Sequence, residues 1–265
     1  MCTVLFAKNV FESYPVVIAA NRDESYDREF SSPETRETED EGDSVDWIFA
    51  PRDEREGGTW IGFNSEGTSV AVTNIETEDG DSQDSNTDDE TEVRSRGLLC
   101  DDVLSESGDI EDLEDVVRHS VDENEYEGFN LVVGTTSRAF VAVYDGDLDF
   151  VYPEDGIHVV TNSRFDDPDD KAVRVSDSLP EPSLGLDDWV DEAECLLSRD
   201  DIDVCLHSHE DDDKGTTSSS IIGVRNPDVS ESFYLFADGA PCEADYEKFT
   251  PPGSPGSGSG SGRSS

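Results

Sequence analysis

Cys2 follows Met1 at the head of an apolar run, Thr3-Val4-Leu5-Phe6-Ala7. Removal of Met1 is expected, because the residue behind it is small. Cys2 would then carry a thiol and an α-amine together, and a free α-amine has an ordinary pKa near ~7.7–8.0. Such an amine can take the thiol proton and later hand it to a leaving group, so the residue is a nucleophile with its own base. A second apolar run, Pro15-Val16-Val17-Ile18-Ala19-Ala20, ends in Asn21-Arg22-Asp23-Glu24. If the two runs pair, this polar group meets Cys2 at one end of a sheet. There a carboxylate can hold an ammonium, and an arginine can bind a substrate carboxylate or lower a thiol pKa.

Two further apolar runs end in asparagine: Val70-Ala71-Val72-Thr73-Asn74 and Val159-Val160-Thr161-Asn162. An amide N–H at a strand tip is the donor type that an oxyanion hole requires. The candidate catalytic set is therefore Cys2, Arg22, Asp23, Asn74 and Asn162. The remaining chemistry-bearing residues read blandly. His207 and His209 flank Ser208 ahead of an acidic run, which suits a solvated loop better than a metal site, so no metal is assigned. His119 and His158 are isolated. Cys195 is expected in the core beside an amphipathic helix, and Cys100, Cys205 and Cys242 have no evident partners.

The elements that must position these residues follow from periodicity. Strands are expected at 3–7 and 15–20, an antiparallel set over 46–74, and strands at 129–134, 139–144, 148–152 and 157–161. Asp145-Gly146 is a hairpin turn signal. Helical spacing marks 93–104 and 110–117, with Asp109 as N-cap, and again 186–197. The last strands are expected at 218–224 and 232–237. Acidic loops are expected near 27–46 and 76–92, and 251–265 reads as a flexible Gly/Ser/Pro tail beyond a single domain of 1–250. Hairpin spacing without regular strand–helix alternation predicts an α+β fold with antiparallel sheets.

The chain has 265 residues, long enough for a proper core, and a formal net charge of -48 from 66 acids against 18 bases. Self-repulsion at that charge opposes compaction unless salt screens it. An acidic, lysine-poor surface over an ordinary core predicts a halophilic protein. The charge excludes nucleic acid and anionic membrane surfaces as natural partners. No run of about 20 apolar residues marks a membrane span, and no secretory leader is evident. Five cysteines without a CxxC pattern point to reduced thiols and a cytoplasmic location.

The N-terminal Met1-Cys2, the strand ending Ala19-Ala20-Asn21-Arg22-Asp23-Glu24 and the segment Gly57-Gly58-Thr59-Trp60-Ile61-Gly62 resemble the NRDE family. It is also called the transport and Golgi organisation protein 2 (TANGO2) family. Ser95-Arg96-Gly97, Phe129-Asn130-Leu131, Thr161-Asn162-Ser163 and Gly215-Thr216 fit the same order. The resemblance implies an N-terminal nucleophile hydrolase fold, a four-layer αββα sandwich of two antiparallel sheets. By similarity to bile-salt hydrolase and penicillin acylase relatives, Cys2 matches the nucleophile and Asp23 the carboxylate supporting its amine. Asn74 and Asn162 match the oxyanion-binding asparagines. Relatives commonly carry an arginine just after the late Gly-Thr, where this chain has Thr217; either Arg22 supplies that charge or the set is incomplete. Two functions are implied. One is hydrolysis of linear amide C–N bonds, for which no cofactor is required. The alternative is a non-catalytic carrier of haem or an acyl lipid in the same pocket. In both the partner is a small molecule.

Overall fold

The computed structural model describes residues 2–38, 45–76, 93–180, 185–207 and 213–254. In chain order the first six strands are β1 (Thr3–Phe11), β2 (Tyr14–Ser25), β3 (Phe30–Glu37), β4 (Trp47–Asp53), β5 (Ile61–Asn64) and β6 (Ser69–Asn74). Helices α1 (Arg96–Ser105) and α2 (Ile110–Glu123) follow, then β7 (Phe129–Gly134), β8 (Ala139–Tyr144), β9 (Leu148–Val151) and β10 (Gly156–Val160). Helices α3 (Asp170–Ser176) and α4 (Leu186–Leu197) precede β11 (Lys214–Val224), β12 (Phe233–Ala237) and β13 (Glu247–Phe249).

The strands form two antiparallel sheets. One has the order β10-β1-β2-β11-β12-β13, and the other runs β3 to β9 in chain order. Period-two alternation sorts the side chains of the first sheet. Val4, Phe6, Val16, Ile18 and Ala20 face the second sheet and pack against Phe49, Ile61, Phe63, Val132 and Val141. Leu5, Ala7, Val17 and Ala19 face the opposite way, onto Val175 of α3 and Trp189, Ala193 and Leu197 of α4. The outer face of the second sheet, with Val70, Leu131, Val133 and Phe140, packs on Leu99, Val103, Leu113 and Val117 of α1 and α2. The result is helix, sheet, sheet, helix: the four-layer sandwich.

Local chemistry agrees with this layout. Asp109 caps α2 by accepting from the Glu111 and Asp112 backbone N–H groups, while the Asp112 carboxylate accepts from Asp109 N–H, a reciprocal capping box. Trp189, the largest fully buried side chain, meets Phe11 edge-on at 5.6 Å between ring centres.

Four expectations need correction. The stretch 27–46 is not simply a loop, because Phe30–Glu37 forms an edge strand despite its polar composition. Its pairing with β4 explains this: the backbone ladder is made whatever the outward side chains are. Helix α3 was not expected, being only seven residues long with too few apolar positions to set a period. Strand β13 is three residues long and equally silent in sequence. Cys195 is exposed rather than in the core. Most of the expected 76–92 loop and of the 251–265 tail lies outside the described residues. Among the described residues no helix is long and apolar enough to cross a membrane.

The Gly57-Gly58-Thr59-Trp60 turn lies directly on the start of α1. Thr59 N–H donates to the Gly97 carbonyl at 3.1 Å, and a Cβ on Gly58 would sit 2.2 Å from the Gly97 carbonyl carbon. Backbone meets backbone there, and neither side can yield cheaply. Gly58→Ala is therefore expected to destabilise the fold by roughly 3 kcal/mol or more through overpacking, whereas Gly146→Ala, with open space around it but a φ of 113°, is expected to cost only its backbone strain, about 1–2 kcal/mol. Denaturant unfolding of the two variants in parallel checks the ranking.

Candidate active site

β2 lies between two neighbours, and its register fixes the site. On one side Thr3 of β1 pairs with Asn21, which brings Cys2 to the end of β2 that carries Arg22 and Asp23. The Cys2 thiol lies 3.9 Å from the Asp23 backbone carbonyl. On the other side Thr216 of β11 pairs with Asp23, and a register shift between Thr216 and Ser218 makes room for Thr217. The Thr216 hydroxyl donates to Asp23 Oδ1 at 2.6 Å and accepts from Leu206 N–H at 2.8 Å.

Alternation then splits the Asn-Arg-Asp-Glu group between the two faces. Arg22 continues the row of Ile18 and Ala20 and points between the sheets. Its Nη2 donates to Asp53 Oδ2 at 2.8 Å, and its guanidinium lies over the Trp60 ring at 4.3 Å and near Phe30 at 5.4 Å. Asn21 and Asp23 continue the row of Val17 and Ala19 and point towards the helices. Asn21 Nδ2 donates to the Leu197 and Val204 carbonyls, and Asp23 meets Thr216.

The second half of the site comes from β6 and β10. β10 pairs with β1 through Val4 and Val160, and Asn162 follows two residues beyond that last pair, at the end of the sheet where β1 begins. Asn162 Nδ2 donates to Asn74 Oδ1 at 2.7 Å and to the Asn74 carbonyl at 2.9 Å, and Glu76 N–H returns a bond to the Asn162 carbonyl at 2.8 Å. These bonds tie the two sheets together at the Cys2 end. Beneath them, fully buried Asn130 donates to Thr73 Oγ1 and to the Thr161 and Ser163 carbonyls, and accepts from Phe165 N–H. Asn162 Oδ1 is buried with no hydrogen-bond partner among the described residues. Asn74 Nδ2 likewise donates to none of them, so the amide held by Asn162 keeps its own donor.

Burial dominates the electrostatics. It pushes the Cys2 thiol up, with the Asp23 charge adding to the shift. Burial also pushes the Asp23 carboxyl up, against the pull of the Thr216 hydroxyl and Lys171. Lys171, on α3, is buried, and its Nζ has no hydrogen-bond partner among the described residues. Its positive charge favours the ionised forms of both Cys2 and Asp23. Burial lowers Arg22, with Glu24 and Asp53 opposing. For Asp53 burial acts upward, but bonds from Arg28 and the Glu56 N–H outweigh it and leave the carboxyl below its ordinary value. Arg28 Nε reaches Asp53 Oδ2 at 2.7 Å, so one buried carboxylate serves two guanidinium groups. A cavity of about 210 Å³ opens beside Arg28, lined also by Glu56, Arg94, Arg96 and Glu127; Cys2 is not among its lining residues.

The five sequence candidates thus fall into two groups: Cys2, Arg22 and Asp23 where the ends of β1 and β2 meet, with Arg22 and Asp23 on opposite faces, and Asn74 bonded to Asn162. Sequence reasoning missed Thr216 as the Asp23 partner, Asp53 as the Arg22 partner, and Lys171. Lys171 had one usable signal: it is one of four lysines in the chain, and it lies beside Ala172 and Val175 on a buried face. Arg22 Nη1 lies 3.4 Å from the Thr217 hydroxyl.

Two stacked antiparallel sheets between helical layers, with a cysteine leading the first strand, define an N-terminal nucleophile hydrolase fold. Solved structures agree at the level of fold. The Caenorhabditis elegans N-acylethanolamine-hydrolyzing acid amidase ortholog matches with a TM-score of 0.55 at 13% identity, covering 95% of this chain and all of that one. An arginine-to-leucine variant of the conjugated bile acid hydrolase from Clostridium perfringens matches at 0.50 with 11% identity, covering 96% and 98% of the two chains. A cysteine-to-alanine mutant of that hydrolase gives 0.50 at 12% identity and the same coverage. The chain belongs to the Transport and Golgi organisation 2 family, whose model matches residues 1–227. A comparison with curated protein sequences finds no match.

The Arg22–Asp53 pair yields a pH prediction. A carboxyl held below its unfolded value near ~3.9 contributes stability above that pH, and the contribution is lost as pH falls through the folded value. Asp53→Asn is expected to cost roughly 3–5 kcal/mol near pH 7, because it leaves buried Arg22 without its anion. The difference from wild type should shrink below about pH 4. Paired denaturant titrations across pH check both the size and the sign.

Proposed function

We propose that the chain is an N-terminal-cysteine amidohydrolase acting on linear amide C–N bonds. The observation that supports this reading is the hydrogen-bonded pair of Asn74, which ends β6, and Asn162, which follows β10, at the end of the sandwich where β1 begins. Both solved relatives are named for hydrolases, one of N-acylethanolamines and the other of conjugated bile acids, which supports an N-acyl substrate.

In the proposed mechanism, loss of Met1 frees the Cys2 amine. The amine accepts the thiol proton as Sγ bonds to the amide carbon, and the carbonyl oxygen takes the negative charge. Asn74 Nδ2 donates to that oxyanion, with Asn162 as its positioning residue. The carbon–nitrogen bond then breaks, and the proton on the Cys2 ammonium passes to the departing amine. Water attacks the thioester, giving its proton to the Cys2 amine; Sγ leaves and is reprotonated, and the acid product is released. Asp23 holds the ammonium from the helix side of the sheet, and the buried Asn162 Oδ1 is a second acceptor for it. Lys171 offsets the thiolate and carboxylate charges, which burial otherwise disfavours. Arg22 supplies the positive charge beside Thr217.

Intact mass of the purified chain is expected to lack Met1, and retention of Met1 in active protein would defeat the mechanism. Cys2→Ala is expected to abolish hydrolysis of N-acyl amino acids, while Asn74→Ala lowers kcat by about 10²–10³-fold. Asn162→Ala should lower it less. A saturable shift of the haemin Soret band that survives Cys2→Ala, in protein without hydrolytic activity, would select the carrier reading instead.

A further inference from the structure

A second cluster of reactive side chains lies behind the Asp23 side of the site. The segment leaving α4 carries Cys205 and His207, and the turn after β12 carries Cys242. Cys205 Sγ lies 2.7 Å from Cys242 Sγ, and Cys242 Sγ lies 3.1 Å from His207 Nε2. One donor atom from each residue falls within 4.8 Å of the others. Neither cysteine was expected to have a partner; 37 residues separate them, so their meeting is a product of the fold. His207 was grouped in sequence with His209, which lies outside the described residues.

We propose that Cys205, His207 and Cys242 form a binding site for a borderline-soft divalent cation of the zinc type. Two thiolates and one imidazole are the donor set such cations prefer, leaving a fourth position for water or another ligand. A simple disulfide would give His207 no role, yet His207 presents Nε2 to the thiols while its Nδ1 lies 3.9 Å from Glu243 Oε1. An imidazole with a carboxylate behind it is the usual outer arrangement at zinc. Zinc–sulfur bonds of about 2.3 Å and zinc–nitrogen bonds of about 2.0–2.1 Å, in tetrahedral array, separate donor atoms by roughly 3.5–3.8 Å. Loading therefore lengthens the Cys205–Cys242 and Cys242–His207 separations by roughly 0.5–1 Å. Cys242 and His207 are exposed and can give way, while Cys205 is buried and serves as the fixed point.

Binding is balanced by proton release: two thiols give up their protons to solvent, and the cation takes both thiolates. The site is coupled to the fold through Leu206, whose N–H and carbonyl both bond Thr216. Thr216 in turn holds Asp23. The proposal does not depend on hydrolytic activity, and its test reads binding alone.

The reduced full-length chain, stripped of metal and held in molar KCl to screen its acidic surface, is titrated with Co²⁺ and then Zn²⁺. One equivalent of Co²⁺ is expected to give a thiolate-to-cobalt charge-transfer band in the near ultraviolet with release of two protons per site, and Zn²⁺ then displaces Co²⁺ and bleaches the band with no further proton release. Cys242→Ser and Cys205→Ser should abolish the band, His207→Gln should weaken Co²⁺ affinity strongly, and Glu243→Gln should weaken it about tenfold. Cys2→Ala and Cys195→Ser should leave it unchanged. The exposed Cys242 and His207 variants decide the test should the buried Cys205 variant fail to fold. No band in reduced wild type, or a band that persists in both Cys242→Ser and His207→Gln, overturns the proposal.

Discussion

The register of β2 against its two neighbours is the constraint on which the site depends. One strand has to place Ala20 in the core, Arg22 between the sheets and Asp23 against Thr216 at once, and the pairings Thr3 with Asn21 and Thr216 with Asp23 do so. Side chains alternate between faces, so a slip of one residue would exchange the two sets. Arg22 would then meet the helices and Asp23 the apolar space between the sheets, without Asp53 or Thr216 to receive them. Burying either group unpaired costs several kcal/mol. The hydrophobic rows of β1 and β2 therefore specify the register, and the buried charges penalise the alternative.

The same alternation explains why Asn-Arg-Asp-Glu is a group in sequence but not in space. Adjacent residues serve opposite faces, so the Arg22 guanidinium and the Asp23 carboxylate do not form a pair. Each instead has a partner from distant sequence: Asp53 from β4 for Arg22, and Thr216 from β11 for Asp23. The cost of burying these groups is met by aromatic and polar contacts that close only when both sheets are assembled. Trp60 over Arg22 is one such contact, and the Asn130 bonds across Thr73 and Thr161 are another.

Strands with clean alternation or continuous apolar runs were legible in the sequence, as were helices long enough to show a period. Expected strands at 129–134 and 139–144 coincide with β7 and β8, and the helix at 186–197 with α4. What escaped was short or polar: α3, β13 and the edge strand β3, whose stability comes from neighbours rather than from their own pattern. Candidate site residues were legible where they end strands, because polar residues closing an apolar run stand out. Their partners were not: Asp53 has an ordinary local context, Thr216 stood out only as part of Gly215-Thr216, and the bonds that join them to Arg22 and Asp23 cross long stretches of sequence. The Cys205–Cys242 pair escaped for the same reason.

The charge of -48 and the charges of the site act on different scales. Surface acids repel one another across water, and the interaction fades over about 8 Å at physiological ionic strength and about 3 Å in molar salt. Arg22, Asp53 and Lys171 are buried, where mobile ions do not reach and direct pairs are screened far less. Salt can therefore alter the compactness of the chain and the approach of a charged ligand while leaving the Arg22–Asp53 pair largely untouched. Positive charge is scarce here, with 18 bases in 265 residues, yet Arg22, Arg28 and Lys171 gather around β2 and its Cys2 end. A strongly acidic chain and a locally cationic interior are thus separable features of one molecule: the first acts across water and is screened by salt, and the second acts directly on buried Asp23 and Asp53.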